Sequence, residues 1–124
     1  MILVCDEDVG IGIPRALRLV GLNCASAKDM SLLGVPDVQW LTVAGQSGWL
    51  VFSCNKKMLD VPIERDAIIR EKVGIVFLTS GQERLPNTLR LILTKWAWLE
   101  LIDQTTPRPF AYYLYPSGRA RQAL

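Results

Sequence analysis

Met1-Ile2-Leu3-Val4-Cys5-Asp6-Glu7-Asp8 opens the chain, and its reading decides the fold. The apolar run is too short for a helix and rich in branched residues, which suits a strand buried on both faces of a sheet. It ends abruptly in three acids, which places carboxylates at the C-terminal mouth of that strand. In an open α/β sheet, ligands bind in the crevice outside the carboxyl ends of the strands. Carboxylates gathered there repel one another and call for a cation, and hard oxygen donors select Mg²⁺ or Mn²⁺.

The rest of the chain alternates strand-like and helix-like stretches. Strands are expected at Ile2–Cys5, Asn23–Ala27, Trp49–Ser53, Gly74–Thr79 and, as a final edge strand, Phe110–Tyr115. A helix enters near Pro14, a residue suited to a first turn, and runs to Gly21 with Leu17 and Val20 on one face. Asp37 is placed as the N-cap of a second helix through Gln46, with Val38, Leu41 and Gly45 toward the sheet. Pro62 opens a third through about Lys72, with Ile63, Ala67 and Ile68 inward and Glu64, Arg65, Asp66, Arg70 and Glu71 outward. The longest helix spans Pro86 to Ile102, and Pro107 and Pro109 prevent its continuation. A basic tail with Arg119 and Arg121 follows the last strand. Such alternation predicts one α/β domain over residues 1–124, a mostly parallel sheet with helices on both faces.

Composition removes several function classes. Half of the 124 residues are apolar, so disorder is excluded, and no apolar run approaches the ~20 residues of a membrane span. No basic segment followed by a long apolar stretch marks a secretory signal. With no histidine, His-ligated zinc and Ser-His-Asp or Cys-His catalysis are out of reach. The three cysteines lack the short spacing of a metal knuckle and read as buried thiols of a reduced cytoplasm. A net charge of +2 is too small to argue for nucleic-acid binding by itself.

Candidate functional residues gather at the predicted strand ends. In an extended chain Asp6 and Asp8 share one side while Glu7 faces the other. Asp37 starts a helix, and the third strand leads through Ser53 to Asn55, with Lys56 and Lys57 just beyond. Carboxylates converging from separate elements hold Mg²⁺ through a few oxygens and several waters. An ion so held activates water and stabilises a phosphoryl transition state. Lys56, Lys57, Arg15 and Arg18 are placed to position phosphates or simply to be solvated. Glu64 and Arg65 read as a structural ion pair. Gly10-Ile11-Gly12 is an ordinary turn, because it lacks the further glycine of a phosphate loop. On the long helix Leu89, Ile92, Leu93, Trp96 and Leu99 form the core stripe. Leu91, Trp98, Leu101 and Ile102 widen it enough to imply cover by a second copy or a partner segment.

Asp6-Glu7-Asp8, Pro14-Arg15-Ala16-Leu17, Pro36-Asp37 with Trp40, and Gly48-Trp49-Leu50-Val51 leading to Ser53 and Asn55 come in that order. Glu64-Arg65 with Ala67, and Thr106-Pro107-Arg108-Pro109-Phe110 with Tyr112 or Tyr113, complete the set. Together they resemble the PIN-like domain family of VapC-type toxins. The resemblance implies a small α/β ribonuclease of the cytoplasm that binds Mg²⁺ or Mn²⁺, cleaves RNA, and pairs with a cognate antitoxin. It implies Asp6, Asp37 and Asn55 for catalysis and Asp6 and Asp37 for the metal, with Asp8 supplying charge from a neighbouring position; placement beside those residues gives Ser53, Lys56, Lys57 and Arg15 to the substrate. Asn55 stands where the family usually has Asp, Ser53 replaces a Thr, and Asp8 replaces a frequent Asn. The missing charge implies weaker metal binding, and it keeps open a PIN-like protein that binds without cleaving. The opening acids also resemble a receiver domain of a response regulator. That reading lacks its phosphoacceptor Asp, since Asn55 stands there, and no Lys follows Lys95.

Overall fold

Leu3–Cys5 forms β1, and every residue of it is fully buried in the computed structural model, which describes residues 1–80 and 84–124. Among the described residues there follow α1 (Gly12–Leu19), β2 (Cys24–Ser26), α2 (Asp37–Ser47), β3 (Leu50–Ser53) and α3 (Pro62–Arg70). Then come β4 (Gly74–Leu78), α4 (Leu85–Thr105), β5 (Phe110–Leu114) and β6 (Ala120–Gln122). The sheet order is β2-β1-β3-β4-β5-β6. The first five strands run parallel and β6 pairs antiparallel to β5. This is the expected α/β architecture, a mostly parallel sheet with helices on both faces.

The period of two along each strand divides the core into two layers. Val4, Val51, Ile75 and Phe77 pack with Trp40, Leu41 and Ala44 of α2 and Ala67 and Ile68 of α3. The alternate residues Leu3, Phe52, Val76, Phe110 and Leu114 pack with Ile13 and Leu17 of α1 and Ile92, Leu99 and Ile102 of α4. At fully buried positions each such side chain contributes on the order of 1.5–3 kcal/mol.

Several expectations are corrected. Pro36, in extended conformation, is the N-cap of α2, and Asp37 is its first helical residue. Gly45 faces the end of α3 rather than the sheet, since a Cβ there would stand 2.2 Å from the Glu71 carbonyl oxygen. Gly48 ends α2 at φ 69°, and its N–H donates to the Gly45 carbonyl, a turn that suits glycine. Val20, Ile63 and Leu93 are exposed, whereas Ile102 is core. β5 is not the final edge strand. The basic tail folds back as β6, with Arg121 paired to Tyr113.

Candidate functional site

The acids after β1 do not stay extended. Asp6 N–H still donates to Phe52 O across the sheet, but the chain then closes a single 3-10 turn over Glu7–Val9. Asp6 caps that turn, its Oδ1 accepting from Glu7 N–H at 2.8 Å. The turn, rather than strand alternation, is what returns Asp8 to the side of Asp6. Glu7 leaves the group, and its Oε1 accepts from Gly34 N–H at 2.9 Å.

β3 supplies the opposite wall. The Ser53 hydroxyl lies 3.1 Å from Asp6 Oδ2 and 3.4 Å from Asp8 Oδ2, and it accepts from Asn55 N–H at 3.0 Å. Asp8 Oδ1 accepts from Cys54 N–H at 3.0 Å. One hydroxyl proton cannot satisfy two carboxylates at once, so the pair sits on either side of a single donor. β1 and β3 are neighbours that send their following helices α1 and α3 to opposite faces of the sheet. This is the switch point at which open α/β sheets bind ligands.

Two helix starts complete the cluster. Asp37 is the first residue of α2, directly behind the extended Pro36. Glu64 lies in the first turn of α3 behind Pro62. Its Oε2 is buried and has no hydrogen-bond partner among the described residues, a costly state for a carboxylate oxygen. The expected ion pair with Arg65 is absent among the described residues. Helical spacing carries the signal that places Glu64 inward: it precedes the buried Ala67 and Ile68 by three and four residues. The neighbouring Arg65 and Asp66 disguise it as part of a solvated face.

The electrostatics tie the four acids together. Burial, then the Asp8 charge, raise the Asp6 carboxyl to about 6; the Glu7 N–H and Ser53 hydroxyl oppose this, and Asp37 adds to it. Burial likewise raises Asp8, with Asp37 adding and the Cys54 N–H opposing. Burial and the Asp37 charge raise Glu64, and a proton on Glu64 would let it donate to Asp37. No salt bridge neutralises any of the four among the described residues. Burial, then the Asp8 and Asp6 charges, push the Cys54 thiol up to about 11, which keeps it protonated and poorly suited to nucleophilic or ligand duty.

The remaining candidates are placed as follows. Asn55 precedes the 3-10 turn Lys56–Asp60 and is tied to the cluster through Ser53. Lys56 and Lys57 are exposed at the start of that turn. Arg15 lies on α1, in the layer across the sheet from α2 and α3, beside Arg18 and Leu19. Arg18 is committed to Asp29 at 2.6 Å and to the Cys24 carbonyl.

Among the described residues no three acidic, thiol or imidazole groups form a ready-made metal cage. The donor chemistry nonetheless fits a hard divalent ion. Mg²⁺ commonly uses one or two carboxylates and retains several waters, so a closed cage is not required. The orphaned Glu64 Oε2 and the mutual repulsion of Asp6, Asp8 and Asp37 are what such an ion would relieve.

A family model described as "PIN like domain" matches residues 1–80. That range holds β1 to β4 and all four acids; α4, β5 and β6 lie beyond it. No curated protein and no solved structure matches the chain significantly.

Proposed function

The chain belongs to the PIN-like domain family, and on that premise we propose that it is a Mg²⁺- or Mn²⁺-dependent endoribonuclease, the toxin of a type II toxin–antitoxin pair. The observation that carries the nuclease reading is the convergence of Asp6, Asp8, Asp37 and Glu64 at the carboxyl ends of β1 and β3, with no ion pair to any of them among the described residues. Asp6 and Asp37 would hold the ion, with Asp8 and Glu64 adding charge. A divalent cation, when bound, supplies Lewis-acid stabilisation of the phosphoryl transition state and an activated water.

The chain's own residues do the rest. Ser53 fixes the orientation of Asp6 and Asp8 through one shared hydroxyl. Asn55, held at Ser53 by its backbone, offers a carboxamide to orient water or substrate. Lys56 and Lys57, exposed beside it, offer cations to phosphate oxygens of an RNA strand. The toxin assignment and the cognate antitoxin rest on the ordered motifs shared with VapC-type toxins. Leu93 and Leu101, exposed on α4, support a covered face for that partner or for a homodimer.

Asn55 favours a second reading, a PIN-like protein that binds RNA or a partner without cleaving. Incubating single-stranded RNA with Mn²⁺ and either the native chain or Asp6→Asn separates the two. The nuclease reading expects cleavage that chelation and Asp6→Asn each abolish; cleavage indifferent to both would reject it.

A further inference from the structure

The carboxylate cluster has no ion-pair partner among the described residues, so it repels the polyanion that the proposed activity must hold. A strand of RNA therefore needs a cationic anchorage away from the reacting phosphate. A cavity of about 380 Å³ opens where β4 and β5 end, between the first turns of α4 and the β5–β6 turn. That size lies within the range of small-molecule sites. It is on the same edge of the sheet as Asp6 and Ser53, because β1, β3, β4 and β5 are parallel. Two strand spacings, roughly 10 Å, separate it from the acids, so one strand can reach both.

The lining is chemically divided. Arg90 and Thr94 stand one helical turn apart on α4, and Ser80 and Ser117 bring hydroxyls from the segments after β4 and β5. Leu78 and Leu114 supply an apolar wall. Among the described residues no acid lines the cavity, and Arg90 has no ion-pair partner. The rim adds charge: Lys95 passes against Gly118, where a Cβ would meet its Cε at 3.4 Å, and Arg119 lies 5.3 Å over the Tyr115 ring. A guanidinium suits a phosphate, paired hydroxyls suit a ribose, and a leucine wall suits the face of a base.

We propose that this cavity is a subsite for one nucleotide of the single-stranded RNA, with Arg90 on its phosphate and Thr94 and Ser117 on its ribose. The chemistry of the subsite stands on the lining; its occupant being an RNA strand rests on the nuclease reading. The test is a titration of the ¹⁵N-labelled full chain in chelator, so that cleavage plays no part. Adenosine 5′-monophosphate, adenosine, inorganic phosphate and a short RNA oligonucleotide are compared. The expected result is that the mononucleotide shifts the amides of Thr94, Ser117 and Gly118 and leaves those of Asp6 and Asp37 in place. Arg90→Ala should weaken it about tenfold, and Thr94→Val should weaken it while inorganic phosphate is unaffected by that change. The oligonucleotide should bind more tightly than the mononucleotide and shift both regions. A mononucleotide that leaves the cavity amides unmoved, or that binds no better than inorganic phosphate, overturns the subsite. An oligonucleotide no tighter than the mononucleotide overturns its assignment to an RNA strand. A native chain that cleaves with Mn²⁺ but binds no mononucleotide rejects the subsite alone, whereas a native chain that binds the mononucleotide but never cleaves supports the subsite and rejects the nuclease reading.

Discussion

Replacing Asp6 by Asn should stabilise the metal-free protein while destroying its response to metal. Asn is nearly isosteric, and its Oδ1 retains the bond from Glu7 N–H. Its Nδ2 can donate to Ser53 Oγ, whose own proton then turns to Asp8 Oδ2, 3.4 Å away. No hydrogen bond is orphaned, and one charge leaves a repulsive group. The Asp6 carboxyl is raised from 3.8 to about 6 by burial and by Asp8, a gap worth ~3 kcal/mol at full strength. Solvent reaches this half-buried carboxylate and reduces the gain to roughly 1–2 kcal/mol. In a chain of this length that corresponds to a Tm increase of roughly 3–8 °C. The sign fixes the pH window. Below 3.8 both folded and unfolded chains keep the proton and Asp6 is neutral in effect. Between 3.8 and about 6 the unfolded chain releases it first, so native stability falls as pH rises, and above about 6 the penalty is constant. Calorimetric melting of both proteins in chelator from pH 3.5 to 7.5 measures this directly, followed by melting with Mg²⁺ added at pH 7.5. The curves should converge at low pH and separate through this window, with Mg²⁺ raising the native Tm and not that of the variant. A variant less stable than the native chain at pH 7.5 would refute the reasoning.

Three other outcomes follow from the same geometry. Asn55→Asp adds a charge beside Ser53; with a unit charge at about 4 Å worth up to ~4 kcal/mol before screening, Mg²⁺ affinity by calorimetric titration should rise about tenfold or more. Ser53→Ala removes the donor shared by Asp6 and Asp8 and the acceptor of Asn55 N–H; it should cost ~1–3 kcal/mol in urea unfolding and raise the Asp6 titration, read by carboxyl NMR, still further. Gly45→Ala drives a Cβ to within 2.2 Å of the Glu71 carbonyl oxygen, so urea unfolding should show a loss of ~1–3 kcal/mol despite alanine's better helix propensity.

Strong patterns in the chain were legible, and weak or dual ones were not. Leu3–Cys5, Leu50–Ser53 and Gly74–Leu78 are continuous apolar runs because both faces of the parallel sheet are covered, and each emerges within a residue or two of its expected bounds. β6 is not legible in the sequence because Ala120-Arg121-Gln122 carries no hydrophobic pattern; its place is set by the backbone ladder to β5 and by Arg121 over Tyr113. Asp6, Asp8 and Ser53 were legible as strand-end residues, although the turn that joins them was not. Hydrophobicity alone points Ile63 to the core and Glu64 outward, yet Ile63 is 64% exposed and the buried oxygen belongs to Glu64. A site of this kind violates the apolar-inside rule locally, which is where sequence patterns are expected to fail.

The most direct measurement is Mn²⁺-induced broadening of the ¹⁵N amide spectrum, since a paramagnetic ion bleaches only what lies near it. The account predicts that substoichiometric Mn²⁺ first erases the amides of Asp6 to Asp8, Asp37, Ser53 to Asn55 and Glu64, and that excess Mg²⁺ restores them. Bleaching centred elsewhere, or spread evenly over the surface, would contradict it.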